Sequence, residues 1–355
     1  MVNHDLRDCS DPDELARVLG VHRYPGRVLG TTSAADILQL HPDLKNSFDA
    51  ICCHYDRIGL EHSRDIIWDD GFHLMEDYPE LPISVFFFGK RAHSARPDGR
   101  WFDTVQDMNS KNIFIEQAEE LDIPVPRTFR FKTKEKLGDC KDFNFPVYLK
   151  VAISVSGSGV VKCLSAQDLE RELGRVDSGL EFQIQEDVGE AVFINLQYHI
   201  NGHGLERFVA TEQVLDGVSH SGNIFPTVHQ PWEIVDPIAV DMYRKGMKGF
   251  FAFDLAITER RVFAIECNPR WNGSTYPTKI AQKLGVSHWK ARSLHTCVRN
   301  LSDIDLGELE FDPDKKKGVV LVNWGCVTEG KLGVMIAGRP EVRDGIEERL
   351  LDILQ

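Results

Sequence analysis

The 355-residue sequence predicts a mixed α/β and α+β architecture. Three observations predict it. The length suits two or three packed subdomains, each with its own core. Residues 1–105 alternate short helical and apolar strand-like segments, as in a small open α/β domain. Beyond residue 143 apolar runs separated by turn signals dominate, with single helices between them, which is the α+β pattern.

Taken in order, Asp11-Pro12 opens a predicted helix over DELARVLG that Gly20 closes. Ser33 is read as the cap of a helix over AADILQLH. DAICCHY (49–55) and LPISVFFF (81–88) read as buried strands, and 89–106 reads as a loop with a turn at Pro97-Asp98-Gly99. Ser110 caps a helix over KNIFIEQAEELD whose buried stripe is Ile113, Phe114, Ala118 and Leu121. Residues 143–165 read as strand, glycine loop, strand. Ser165 with Asp168 then opens a helix in a variant capping box. FQIQEDVG (182–189) is a further strand. Residues 191–214 form a hairpin about Asn201-Gly202. A loop, DGVSHSGNIFP, leads to a helix capped by Asp236 with Pro237 in its first turn. After the 250–268 hairpin come helices over 276–284 and 287–300, two strands within 316–340, and a last amphipathic helix. There is no internal repeat.

Composition removes several function classes. A net charge of −14 without a long basic run argues against nucleic acid as partner. No apolar stretch approaches the length of a membrane span, and the polar N-terminus is not a signal peptide. Eight scattered cysteines form no C-x-x-C pair, which predicts a reduced, cytoplasmic protein without a zinc site. No local feature marks one of them as an activated nucleophile.

The most informative segment is FFAFDLAITERRVFAIECNPRWNGSTYP, residues 250–277. Alternate residues of a strand face opposite sides. Phe251, Phe253, Leu255 and Ile257 therefore share one face of the first strand, and Ala252, Asp254 and Ala256 the other. In the second strand Val262, Ala264, Glu266 and Asn268 share a face. A three-residue loop, 259–261, places 254 opposite 266. Small alanines beside acid and amide oxygens suit Mg²⁺ with a polyphosphate, because Mg²⁺ takes hard oxygen ligands. Mn²⁺ fits the same ligands. Arg270 presents a planar fork to a phosphate or carboxylate. The plainer reading is an amphipathic hairpin with a solvated acidic face.

Two further segments bear on the same chemistry. SVSGSGV (154–160) lies between strands and is not a GxxxxGK[ST] loop. Its backbone N–H groups, around Ser156, Gly157, Ser158 and Gly159, can surround phosphate oxygens. Lys150 sits in the preceding apolar strand and needs either an anionic partner or an exposed face. QEDVGE (185–190) is a connector whose residues Glu186, Asp187 and Val188 suit a purine, with Glu190 for the ribose. The plain reading there is an acidic turn.

In this order the parts resemble the ATP-grasp superfamily. Lys111 opens a helix before IPVP, Lys150 precedes a Gly/Ser loop, QEDVGE follows, and Asp254 … Glu266-x-Asn268-Pro-Arg270 closes; the resemblance spans about 105–300. It implies two lobes holding ATP, preceded by a small α/β domain. It implies that Lys111 and Lys150 contact phosphates, that 154–159 is the mobile loop and that 186–190 carries adenine and ribose. Asp254, Glu266 and Asn268 would hold Mg²⁺, and Arg270 would meet the phosphate or acyl phosphate. NGSTYP and the late strand GVVLVNWG suggest similarity to peptide-forming ligases of natural-product pathways, with a pre-ATP-grasp domain and a C-terminal β-rich cap. Trp271-Asn272-Gly273-Ser274 departs from many relatives and leaves the substrate open.

The expected domains are 1–105 (pre-ATP-grasp), 106–190 (small lobe), 191–305 (large lobe) and 306–355 (cap). The expected function is an ATP-dependent carboxylate–amine ligase working through an acyl phosphate on small molecules such as amino acids or short peptides. No protein nucleophile is needed. Asn272, Gly273, Ser274 and Thr275 are candidate substrate contacts. His220 is a candidate base for the amine or a surface-loop histidine. A homodimer is allowed. The rival readings are an ATP-grasp kinase or acyl–thiol ligase, and a nucleotide-binding regulator without turnover.

Overall fold

The computed structural model describes residues 1–9, 15, 18–154 and 159–355. The chain forms two compact units. Unit 1 contains residues 1–98, 221–228 and 271–355; unit 2 contains 99–220 and 229–270. No described helix is long and apolar enough to cross a membrane, and none of the eight cysteines forms a disulfide. Most of the predicted 12–20 helix falls outside the described residues.

Unit 1 opens with a four-stranded parallel sheet, β1 (Val2–Asn3), β2 (Ile37–Gln39), β3 (Asp65–Ile67) and β4 (Ser84–Val85), in the order β3-β2-β1-β4. Four expectations change here, the first being the strand read over 81–88, of which only Ser84–Val85 is strand. Residues 49–55 lie in a helix, Lys45–Arg57, because Ile51, Cys52 and Tyr55 are buried at a helical spacing that the short apolar run concealed. AADILQLH is not a helix. Ile37–Gln39 is a strand, and the Ser33 N–H and Oγ both donate to the Asp36 carboxylate in a local turn. The expected loop 89–106 is two helices, Lys90–Ala95 and Gly99–Asn109, with the Pro97-Asp98 turn between them.

Unit 2 begins with the helix Gly99–Asn109, and the helix Lys111–Glu120 follows it, capped by Ser110 as expected. Phe114, Ile115 and Ala118 are its buried apolar residues. Ile113 is only half-buried and Leu121 is exposed, because the helix ends there. An antiparallel sheet follows: β5 (Thr128–Phe131), β6 (Val147–Val151), β7 (Val160–Cys163) and β8 (Phe182–Glu186), ordered β5-β8-β6-β7. One face packs Val147, Leu149, Phe182 and Ile184 against the helix Ala166–Arg175 through Leu169 and Leu173. The Ser165 Oγ accepts from the Asp168 N–H, and the Asp168 carboxylate accepts from the Leu164 N–H, so the variant capping box is one residue displaced on its return bond.

A second antiparallel set carries the acidic hairpin. β9 (Val192–Asn201) and β10 (Gly204–Asp216) turn at Asn201-Gly202-His203, as read from sequence. The expected loop after them holds a strand, β11 (Ser219–Phe225); the Asp216-Gly217 turn, with Gly217 at φ 60°, reverses the chain into it. β12 (Gly249–Ile257) and β13 (Val262–Asn268) complete the order β13-β12-β9-β10. Behind the bulky face Tyr198 stacks on Phe251 and Phe114 on Phe253. The helix before β12 runs Trp232–Lys245 with Pro231 at its cap, so Pro237 is interior. Asp236 is not the cap: its carboxylate accepts from the Tyr198 hydroxyl and Arg207.

The remaining strands of unit 1 are β14 (Trp289–His295), β15 (Gly318–Asn323) and β16 (Lys331–Ala337), in the order β11-β14-β16-β15. Residues 287–300 are thus not a helix. Trp289 and Ala291 are buried while Lys290 and Arg292 between them reach out to Glu347, which is strand alternation. Thr275–Leu284 and Pro340–Leu354 are helices as expected.

Candidate functional site

Unit 2 brings Asp254 and Glu266 directly opposite each other on β12 and β13. The expected pairing occurs, but by another route. Thr258 and Arg261 close the hairpin in a tight turn, with Thr258 Oγ1 accepting from the Arg260 and Arg261 N–H groups. That register pairs Ile257 with Val262 and Leu255 with Ala264, and carried further it would leave Glu266 out of step with Asp254. A bulge at Ile265 adds one residue to β13 and restores the match. Ala264 consequently stands across from Leu255 and not beside the carboxylates, which corrects the face assignment made from strict alternation.

Asp254 is surrounded by amides. Asn195 Nδ2 donates to its Oδ1 at 2.6 Å, Gln213 Nε2 to the same oxygen at 2.5 Å, and Asn268 Nδ2 to Oδ2 at 2.9 Å. Asn195 lies opposite Asp254 on β9. Burial, followed by the charge of Glu266, pushes the Asp254 carboxyl well above its ordinary range. Burial works the same way on Glu266. There Lys111, Lys150 and Arg270 outweigh it and hold the carboxyl below its usual range.

The cations come from three elements. Lys111, the first residue of its helix, is buried and reaches Glu266 at 3.6 Å and Ser154 Oγ at 3.0 Å. Its backbone N–H donates to the Ala152 carbonyl, which fixes the helix start beside the end of β6. Lys150 is buried on β6 and donates to Gln185 Oε1 at 2.6 Å; Gln185 donates in turn to Thr128. Burial, then the neighbouring Lys111, pushes the Lys150 ammonium down to about 8. Arg270, past the end of β13, donates to Asn109 Oδ1 at 3.3 Å.

The other candidates are placed as follows. Ser156, Gly157 and Ser158, and with them most of the expected mobile loop 154–159, lie outside the described residues. Gly159 has φ 70°, and a Cβ there would meet Val151 at 3.1 Å, so the loop returns to the sheet through a position that favours glycine. Glu186 is half-buried beside Arg127, and Asp187 pairs with Lys162 at 2.5 Å. The Glu186 and Asp187 N–H groups donate to Arg127 and Pro146 carbonyls; Val188 is half-buried and Glu190 exposed. His220 is an exposed residue of β11, not of a loop. Asn272, Gly273, Ser274 and Thr275 belong to unit 1. There Asn272 Oδ1 accepts from Ser274 Oγ at 2.7 Å, and Thr275 Oγ1 accepts from the Asn272 N–H, a local knot that starts the next helix.

Sequence reasoning missed Asn195 and Gln213, and gave no role of their own to Gln185 and Ser154, which lie inside the segments 185–190 and 154–159 that it singled out. A signal existed for two of them. Asn195 interrupts the apolar run of β9, and Gln185 that of β8, and a buried amide needs a partner.

The sequence matches no protein-family model. Solved structures resemble the fold. An ADP complex of N5-carboxyaminoimidazole ribonucleotide synthetase matches with TM-score 0.60 at 13% identity, covering 83% of this chain and 86% of that one. The ADP-complexed N5-carboxyaminoimidazole synthetase of Staphylococcus aureus matches with TM-score 0.58 at 12% identity, over 84% and 87%. The biotin carboxylase domain of Hydrogenobacter thermophilus 2-oxoglutarate carboxylase, with MgADP and bicarbonate, gives 0.51 at 12%, over 71% and 67%.

The fold is the ATP-grasp fold. Within this fold the buried lysines Lys111 and Lys150 and the opposed acids Asp254 and Glu266 all lie in unit 2. Two carboxylates facing each other repel, and a divalent cation relieves that repulsion. The donor set of Asp254, Glu266 and the Asn268 amide oxygen is all hard oxygen, so it fits Mg²⁺. The Asn268 nitrogen is turned to Asp254, which leaves its oxygen for a ligand.

Proposed function

We propose that this protein is an ATP-dependent carboxylate–amine ligase. The observation that carries the reading is the convergence of Lys111, Lys150, Asp254, Glu266, Asn268 and Arg270 within one compact unit of an ATP-grasp fold. Lys150 and Lys111 hold phosphate oxygens of ATP, and residues 186–190 receive adenine and ribose. Asp254, Glu266 and Asn268 hold Mg²⁺, which neutralises phosphate charge when bound. Arg270 orients the carboxylate toward the γ-phosphoryl group and steadies the acyl phosphate. An amine then attacks, and phosphate leaves. The similar solved structures are named for carboxylation of small molecules and support the carboxylate side of this chemistry. We read 1–105 as the pre-ATP-grasp domain, 106–190 and 191–305 as the lobes and 306–355 as the cap. Amino acids or short peptides are the proposed substrates.

The test is a screen of carboxylates, including bicarbonate, against amines for ADP release, followed by replacement of the amine with hydroxylamine. A ligase gives a hydroxamate that depends on ATP and on the carboxylate. A stable phosphorylated product with no hydroxamate would identify a kinase. ATP binding with no ADP release in any pair would identify a silent regulator.

A further inference from the structure

In unit 1, apart from the residues assigned above, His22, His41 and Asp43 come together. Each offers one ligand atom, and the three atoms lie within 4.8 Å of one another. His22 Nε2 stands 3.0 Å from Asp43 Oδ2, and His41 Nδ1 stands 3.7 Å from Asp43 Oδ1. The two imidazole centroids are 4.5 Å apart. Around an ion with bonds of roughly 2.0–2.2 Å, neighbouring ligand atoms stand roughly 3–3.5 Å apart. Two of the three pairs are therefore already close to a coordinating spacing. Local structure explains why they meet. His22 is the second residue of a 3₁₀ segment, Val21–Thr31, and His41 caps a short turn, Pro42–Leu44. Pro42 fixes φ at the start of that turn, so His41 and Asp43 leave the backbone in a set relation. Leu44 is buried beside Gly26, where an added Cβ would lie 3.4 Å from its side chain, and this packing holds the turn against the 3₁₀ segment.

The contacts present leave room for an ion. The two histidine side chains are about 30% exposed and the Asp43 side chain 46%, so an ion can enter and water can complete its coordination. Metal binding needs imidazole lone pairs. The proton that His22 Nε2 shares with Asp43 would leave, and His41 Nδ1 would exchange the Asp43 N–H, accepted at 3.2 Å, for the ion. Arg23 is the competitor. Its Nη2 donates to Asp43 Oδ2 at 3.1 Å, while Oδ1 is the oxygen that faces His41. Arg23 Nε also lies 3.5 Å from Glu329, so it keeps an acid when Asp43 turns to a cation. Two imidazoles and one carboxylate favour Zn²⁺ and its neighbours Co²⁺ and Ni²⁺; Mg²⁺ and Ca²⁺ take oxygen ligands. No cysteine contributes, so the lack of C-x-x-C pairs does not bear on this group.

We propose that His22, His41 and Asp43 bind a divalent cation of the Zn²⁺ class, which ties the Val21–Thr31 segment to the Pro42–Leu44 turn. The site stands apart from the ligase reading, and ATP turnover plays no part in its test. Full-length protein, freed of any histidine tag and stripped with a chelator, would be titrated with Zn²⁺ by calorimetry in excess Mg²⁺, which keeps oxygen-only sites filled. One equivalent is expected to bind and to raise the melting temperature. His22→Gln and Asp43→Asn should each weaken binding roughly tenfold or more, because losing even an outer partner of a metal ligand has an effect of that size. His203→Gln, at the exposed turn between β9 and β10, should change it less than about twofold. Co²⁺ in place of Zn²⁺ should give the visible bands of nitrogen and oxygen ligation. Strong near-ultraviolet thiolate absorption would put the ion on cysteine and overturn the site. Equal Zn²⁺ binding by folded His22→Gln, or no binding by wild type, would overturn it too. His41→Gln takes the place of either variant that does not fold.

Discussion

Two groups of carboxylates in this molecule carry opposite arrangements. In unit 1, Glu310 is fully partnered. His54 Nδ1 approaches it at 2.8 Å, and Arg57 donates from Nε at 2.9 Å and Nη2 at 2.6 Å. His54 Nε2 accepts from the Leu321 N–H, so its proton sits on Nδ1 and is given to Glu310. Burial opposes ionisation there, but His54 and Arg57 outweigh it and hold the carboxyl down to about 2. In unit 2, Asp254 faces Glu266, and burial and that neighbour drive Asp254 the other way. The difference teaches how to sort charges. A carboxylate whose partners are complete contributes to stability. A pair of carboxylates set against each other is strained until a cation arrives, and that marks a place for a ligand.

Removing one side of the opposed pair should have the largest effect. If the proposed site is right, Glu266→Ala should lower ATP turnover by about a thousandfold or more, since the proposed ligand shared by metal and phosphates is lost. The melting temperature without ligand should fall only modestly, because the lost attraction to Lys111, Lys150 and Arg270 is partly offset by the lost repulsion with Asp254; the rise on adding MgATP should vanish. ADP-release assays and thermal unfolding check both, and wild-type turnover would remove Glu266 from the site.

Next in size is Arg270→Lys. Hydroxamate formation should drop roughly a hundredfold while ATP affinity changes far less, because a point charge cannot reproduce a planar fork on the acyl phosphate. Equal losses in both would make Arg270 a general ATP contact.

A smaller, pH-dependent effect is expected from Lys150. In the free protein its charge is lost as pH rises through about 8, below its ordinary 10.5. The folded state binds this proton more weakly than the unfolded chain. Its destabilisation is therefore full below about 8 and is relieved between about 8 and 10.5. Bound phosphate favours the charged form. ATP affinity should fall by up to roughly tenfold for each unit of pH above that point. Calorimetry in buffers of different ionisation enthalpy should show proton uptake on binding. Flat affinity from pH 7 to 9.5 would mean that Lys150 does not meet ATP.

The mildest change belongs to the partnered acid. Glu310→Gln should cost unit 1 about 1–2 kcal/mol and leave turnover intact. The folded carboxyl is depressed from 4.5 to about 2, so its stabilisation is full above about 4.5 and is lost as pH falls toward 2. Denaturant unfolding should show the variant losing less stability than wild type across that window. A turnover defect in Glu310→Gln would erase the contrast between the two regions.

The sequence determined by itself those features that local periodicity and local chemistry dictate. The Ser110 and Ser165 caps, the Asn201-Gly202 turn, the strands of the acidic hairpin and the order of Lys111, Lys150, Asp254, Glu266, Asn268 and Arg270 were legible because each depends on neighbours within a few residues. Short segments such as 49–55 and 287–300 were misread, since a few apolar residues fit a strand or a helix until their packing partners are known. Tertiary structure alone decided the rest. The bulge at Ile265 aligns Glu266 with Asp254, yet nothing in VFAIECN announces it; it follows from a tight turn at one end of the hairpin and a fixed pairing with β9 along it. Asn195 and Gln213 meet Asp254 from strands some 40 to 60 positions away in the chain. Arg27 meets Tyr276 across a still longer separation. Such contacts are set by how sheets stack and by where buried charges find partners, and a linear pattern does not carry that information.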